Sequence, residues 1–250
     1  MSCWAGVKDA DMYGSPVRSG VGRYYRQMPS SEGPPSAGTA VVDAILDRRS
    51  VRSGFEARPI PRTVLERVLE CGLAAPSSKG ARPWRFHVVE DPVRLASLAT
   101  AVRSARGADD WIPHDPRTGR PDPRWTPTVG ESADVLQGAR AVILIENLGV
   151  FSRGRAELAR TPARRLRPAL DGYTFECVGI GAALENLWLA AHALGLGAAF
   201  LGDVVIAEEG IAEELGLSGD LIGALCLGYA SGPAPTRPLR DAADPSVVWH

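Results

Sequence analysis

The chain has 250 residues, 45% apolar and 23% charged, with a formal net charge of −1, the profile of a soluble globular protein with room for one core or two. So even a charge balance gives no global electrostatic case for nucleic acid or a membrane surface. No apolar stretch reaches the roughly 18 residues needed to cross a bilayer, and with no basic segment followed by an apolar run at the N-terminus the expected compartment is the cytoplasm.

Residues 1–38 are rich in Gly, Ser and Pro without periodicity and read as an irregular N-terminal extension, which Tyr24 and Tyr25 could anchor to a partner subunit. Residues 39–250 read as one domain. Thr39 is placed to cap a helix running to about Arg49, with Val42, Ile45 and Leu46 on one face. Its end carries Arg48-Arg49-Ser50-Val51-Arg52. A guanidinium fork can hold two phosphate oxygens at once, but a helix C-terminus repels anions. From spacing alone, a phosphate grip and a solvated helix end stand level. A second helix starts at Thr63, whose spacing to Glu66 matches a capping box, and stops at Pro76. The loop from Pro76-Ser77-Ser78 to Pro83-Trp84 offers hydroxyls and backbone groups to a flat heterocycle. A short strand follows through Val89, with His87 expected on its solvent side.

Residues 91–104 are expected to be helical, and 107–130, with Trp111, His114 and Trp125 among Pro, Gly and Asp, to be a long loop of the kind that often serves as a lid. Ala141 to Ile145 reads as a central strand. Between Ser152 and Pro168, Arg153, Arg155, Arg160, Arg164, Arg165 and Arg167 face a single Glu157. This reads first as a solvated loop, and otherwise as a surface for an acidic substrate, a carrier protein or the 2′-phosphate of NADPH. Residues 174–195 form a helix apolar on most sides, buried in the core or in a subunit interface. A strand over 198–202 runs into a glycine turn where the backbone itself can approach a ligand. A helix at about 207–215 and a strand at 222–229 lead into a Pro-rich tail with Arg237 and Arg240. Helices and strands mixed without strict alternation give the α+β class.

Cys3, Cys71, Cys177 and Cys226 are far apart, and the four histidines form no cluster, so neither a metal site nor a disulfide framework is expected. No G-x-G-x-x-G follows a strand, and there is no Walker motif, G-x-S-x-G elbow or H-E-x-x-H. Scattered cations, a Ser-rich loop and a glycine turn suit a cofactor that does the chemistry itself.

Four blocks in order, from about Val42 to Asp241, resemble the FMN-dependent nitroreductase family. They are Arg48-Arg49-Ser50-Val51-Arg52, Ala75-Pro76-Ser77-Ser78 through Pro83-Trp84, Gly179 to Gly202, and Leu227-Gly228-Tyr229 with Arg237 and Pro238. The resemblance implies a mixed, mainly antiparallel sheet flanked by helices, in a homodimer with FMN at the interface. By the same resemblance, Arg48, Arg49 and Arg237 would hold the FMN phosphate, with Arg240 beside them. Ser50 and Arg52 would reach the ribityl side and the pyrimidine edge, Arg52 as the cation near N1 and O2. Pro76, Ser77 and Ser78 would line the flavin, from the same or from the other subunit, with Arg82 adding charge near the ring if it points inward. Leu201 and Gly202 would bring backbone N–H groups towards N5 and O4. The chain departs from the family where Gly80 stands for a common Asn and Arg82 for a common Gln. The expected activity is ping-pong transfer through flavin N5 from NADH or NADPH to an electron-poor acceptor such as a nitro compound or a quinone. Alternatives are a dehydrogenase or oxidase tailoring a biosynthetic intermediate with O2 as acceptor, and a flavin-sequestering protein.

Overall fold

The computed structural model describes residues 37–108, 112–233, 236 and 244–250. The N-terminal extension with Tyr24 and Tyr25, Cys3, Trp111, Arg237, Pro238 and Arg240 lie outside the described residues.

Helix α1 spans Ala37–Asp47, α2 Arg62–Leu73, α3 Pro92–Ser104, α4 Val129–Gly138, α5 Arg155–Arg160, α6 Ala163–Ala193 and α7 Glu208–Leu215. The strands are β1 Trp84–Val89, β2 Ala141–Asn147, β3 Gly197–Leu201 and β4 Asp220–Gly228. They form one sheet in the order β1-β2-β4-β3, and every neighbouring pair is antiparallel. A parallel bridge, Ser50 with Ala198, lays the chain after α1 along the edge of β3.

All seven residues of β2 are buried, as the central position requires. Alternation along it feeds two cores. Val142 and Leu144 join Leu98, Leu136 and Ile211 on one face, under α3, α4 and α7. Ala141, Ile143 and Ile145 join Leu65, Val68 and Leu187 on the other, under α2 and α6. The helices of this second layer touch closely: a Cβ at Gly72 would lie 2.5 Å from Leu187 Cδ2.

Several expectations change. Thr39 is the third residue of α1, not its cap, and α1 stops at Asp47. Its apolar side looks outward, with Val41, Val42 and Ile45 exposed. Thr63 lies inside α2, which starts after Pro61; Glu66 accepts from the Arg62 side chain instead of closing a capping box. Proline suits this entry because it has no N–H to leave unbonded. Helix α4 falls in a stretch bounded by Gly130 and Gly138 where periodicity is weak, yet it buries Val129, Ala133, Val135 and Leu136. The arginine-rich segment is α5 and the first turns of α6 rather than a loop. Arg, Ala and Leu are strong helix formers even where no apolar stripe advertises the helix, and the 31-residue α6 runs through Pro168. Residues 112–128 keep an irregular course but have turns of their own, with Asp115 accepting from the backbone N–H groups of Arg117 and Thr118. His87 does not face open solvent; it bonds a buried carboxylate, Glu146, at 2.8 Å. Among the described residues no helix is long and apolar enough to cross a membrane.

Candidate functional site

Arg48 and Arg49 leave the end of α1 in different directions. The Arg48 side chain is 13% exposed and runs onto α6. Its guanidinium lies 4.2 Å above the centre of the Trp188 ring, and its Nε is 3.3 Å from Glu185 Oε1. Arg48 Nε and Nη1 are nonetheless buried without a hydrogen bond among the described residues. Arg49 turns back: its Nη1 donates to the carbonyls of Leu46 at 2.6 Å and Arg48 at 2.9 Å. That places a cation on the negative end of α1, which answers the objection that this helix end repels anions.

Beyond them the backbone is pinned. Val51 N–H donates to Ala198 at 2.9 Å, Glu56 N–H to Tyr229 at 2.8 Å, and Ser231 N–H to Gly54 at 2.7 Å. Ser50 is therefore fixed beside β3, whereas Arg52 is exposed. Arg58, which spacing did not single out, stacks 3.9 Å from the Tyr229 ring centre.

The Pro76–Arg82 segment folds into a tight turn. Ser77 Oγ accepts from the Arg82 N–H at 2.9 Å, and Lys79, Gly80 and Arg82 have φ of 52°, 66° and 47°. Glycine takes this backbone without strain; Lys79 and Arg82 each bear a cost of about 1 kcal/mol. Pro76 and Arg82 are exposed, Ser77 and Ser78 half-buried. The turn rests on α6, where a Cβ at Gly179 would stand 3.2 Å from Ser77 Cβ and 3.6 Å from the Trp84 ring. Gly179 and Glu185 are six residues apart on that helix, about 9 Å along its axis. Trp188 lies about 180° around α6 from Gly179, so the arginine end and the serine turn rest on different faces of the same helix.

At the other end of β3, Leu201 is buried and Gly202 half-buried. A 3-10 turn follows over Asp203–Ala207. Asp203 Oδ2 accepts from the Thr128 hydroxyl at 2.9 Å, tying the end of the 112–128 segment to the glycine turn. Asp203 Oδ1 is buried without a hydrogen bond among the described residues.

Two buried carboxylates escaped sequence reasoning. Glu146 accepts from His87 at 2.8 Å, Arg85 at 3.3 Å, the Ser218 N–H and hydroxyl at 2.7 and 2.9 Å, and the Gly219 N–H at 2.6 Å. Burial pushes its pKa up, but the donors from His87, Ser218 and Gly219 outweigh that and hold it down at about 2. Glu176 takes the Asn147 amide at 3.0 Å, the Phe151 and Ser152 N–H groups at 2.5 and 2.8 Å, and the Ser152 hydroxyl at 2.7 Å. Burial raises its pKa, and these donors bring it below the ordinary value. Both are ionised anchors for the 147–154 and 218–220 loops, not proton donors at neutral pH. Only an apolar run broken by a single acid, as at Ile145-Glu146, hints at such an anchor.

Burial pushes the Cys226 and Cys177 thiols up, so neither is an activated nucleophile. Among the described residues no group of three His, Cys, Asp or Glu is placed to hold a metal ion. Of the basic segment, Arg155 is tied to Glu208 at 2.5 Å and to Asp220 at 3.7 Å, while Arg153, Arg160, Arg164, Arg165 and Arg167 are exposed.

Comparison with known proteins matches residues 45–229 to the Nitroreductase family. A protein of Methanothermobacter thermautotrophicus, provisionally named an NADH dehydrogenase/NAD(P)H nitroreductase, is 25% identical over 212 residues, 83% of this chain and 85% of the relative. The fold is shared with the NADPH:FMN oxidoreductase of Vibrio harveyi, solved in complex with NAD+, at 19% identity and a TM-score of 0.58, covering 84% of this chain and 76% of the other. It is shared as well with a provisionally named nitroreductase of Desulfovibrio desulfuricans in complex with FMN, at 24% identity and a TM-score of 0.52, covering 80% of this chain and 92% of the other.

Proposed function

Because the chain belongs to the nitroreductase family, we propose that it is an FMN-dependent oxidoreductase that moves electron pairs from NADH or NADPH to an electron-poor organic acceptor, a nitro compound or a quinone. The observation that carries the reading is Arg48: a guanidinium held in place on Trp188, with two buried nitrogens that have no hydrogen-bond acceptor among the described residues. Such donors fit a phosphate, which offers several charged oxygens in one group.

Arg48 would bind the phosphate from α1, with Arg237 and Arg240 as further candidates beyond the described residues. Arg49 supports this site by capping α1 as well as by its charge. Ser50, fixed beside β3, and the exposed Arg52 would meet the ribityl chain and the pyrimidine edge. Pro76, Ser77 and Ser78 would line the ring, and Leu201 and Gly202 would offer backbone N–H groups at its far edge. Arg82 is exposed in a left-handed conformation, so its charge would act from the rim. The flavin, when bound, supplies the two-electron chemistry at N5; these residues bind and orient it.

A homodimer fits this reading, because the exposed Val41, Val42 and Ile45 of α1 and Phe175 and Val178 of α6 need cover. The test is anaerobic absorbance of the purified protein. Bleaching of a bound flavin by NADH or NADPH, followed by recovery with a quinone, is expected. Bleaching by neither nicotinamide would replace the reductase reading by a dehydrogenase or a storage role. A colourless protein that cannot be loaded with FMN would overturn the flavin assignment.

A further inference from the structure

A buried cation needs a counter-charge, and the one paired with Arg48 is unusual in its placement. Glu185 Oε1 lies 3.3 Å from Arg48 Nε without forming a hydrogen bond, and the Glu185 side chain is 47% exposed while that of Arg48 is 13% exposed. The carboxylate thus neutralises the guanidinium from the solvent side. Released, it returns to water with little change in its own solvation. The guanidinium does not depend on it for position, because the Trp188 face holds it by a contact that is the same for any anion. The buried Nε and Nη1 donors still want acceptors that a single misaligned carboxylate oxygen does not provide.

We propose that Glu185 is a built-in competitor for the flavin phosphate. It neutralises Arg48 until the phosphate displaces it, and so weakens this chain's hold on FMN by the strength of one ion pair. The proposal rests on the reading of Arg48 as a phosphate ligand.

The test titrates full-length protein, freed of flavin, with FMN and with riboflavin, following flavin fluorescence in wild type and Glu185→Gln. The variant is expected to bind FMN about two- to fivefold more tightly, the range set by a partly exposed ion pair. Riboflavin, which lacks the phosphate, is expected to bind both proteins alike. In an Arg48→Met background the tightening should vanish. A folded Glu185→Gln protein whose FMN affinity is unchanged or weaker overturns the competition while leaving the flavin assignment standing. Binding of FMN by neither protein overturns both. Should Glu185→Gln fail to fold, Glu185→Asp keeps the charge but withdraws it by one methylene; a gain of about twofold is then expected, and no gain overturns the proposal.

Discussion

Arg48 and Arg49 are adjacent and of one type, yet their surroundings divide the work. Arg49 bonds carbonyls at the end of α1, and Arg48 crosses to α6. Arg48→Gln should therefore weaken FMN by about ten- to a hundredfold, the strength of a charge-assisted hydrogen bond, with little change for riboflavin; the same fluorescence titration reads both. Arg52→Ala should raise the flavin Kd and slow bleaching by the nicotinamide, and unchanged values would remove Arg52 from the site. Glu146 makes a different prediction, about pH. Its folded pKa, about 2, lies below the ordinary 4.5, so folding favours the ionised form. The stabilisation is complete above about pH 4.5 and is lost as pH falls through 2. Chemical denaturation should show the wild type losing about 3 kcal/mol more than Glu146→Gln across that window. Glu146→Gln should be less stable at pH 7 and flatter in its acid dependence; equal slopes for the two proteins would refute the assignment.

Helix α6 touches more of the proposed site than any other described element. It presents Gly179 to the serine turn, Glu185 and Trp188 to Arg48, Glu176 to the 147–154 loop, and Leu187 to α2. Its seat against α2 depends on one missing side chain. Gly72→Ala would force a methyl group to 2.5 Å from Leu187 Cδ2. Overpacking of this kind should destabilise by about 1–3 kcal/mol, partly offset by the better helix propensity of alanine. Denaturant midpoints should show this loss, and Gly72→Ala with Leu187→Val should recover part of it. A single mutant as stable as wild type would mean that the two helices separate without cost.

For the whole molecule, exposed apolar side chains group on α1 (Val41, Val42, Ile45) and α6 (Leu166, Leu170, Phe175, Val178), the two helices that meet at Arg48, while others such as Val93, Val150 and Trp249 lie elsewhere. Covering the α1 and α6 group with a second copy would place the arginine end of the site at the subunit boundary. Light scattering on the purified protein should give twice the chain mass. Val178→Asp, which charges a side chain now 67% exposed, should yield monomer and reduce FMN content together. A monomeric wild type, or a monomeric variant with full flavin, would separate the dimer from the site.

Much of this was legible in the sequence because it is local. The run Ala141 to Ile145 could only be a central strand, and the glycines at 179 and 181 sit inside a helix as their apolar surroundings required. The arginines at 48–52 left a phosphate grip and a solvated helix end level, and only the four blocks taken together favoured the grip. What sequence could not decide were relations between distant segments. Nothing local says that Arg48 would lie on Trp188 or that Arg49 would cap its own helix, since side-chain direction is set by whatever packs alongside. Nothing local says that Glu146 and Glu176 would be buried, since a carboxylate enters a core only where several donors from other segments converge on it. Periodicity reports one chain's burial pattern; pairing, registry and charge neutralisation belong to the tertiary structure.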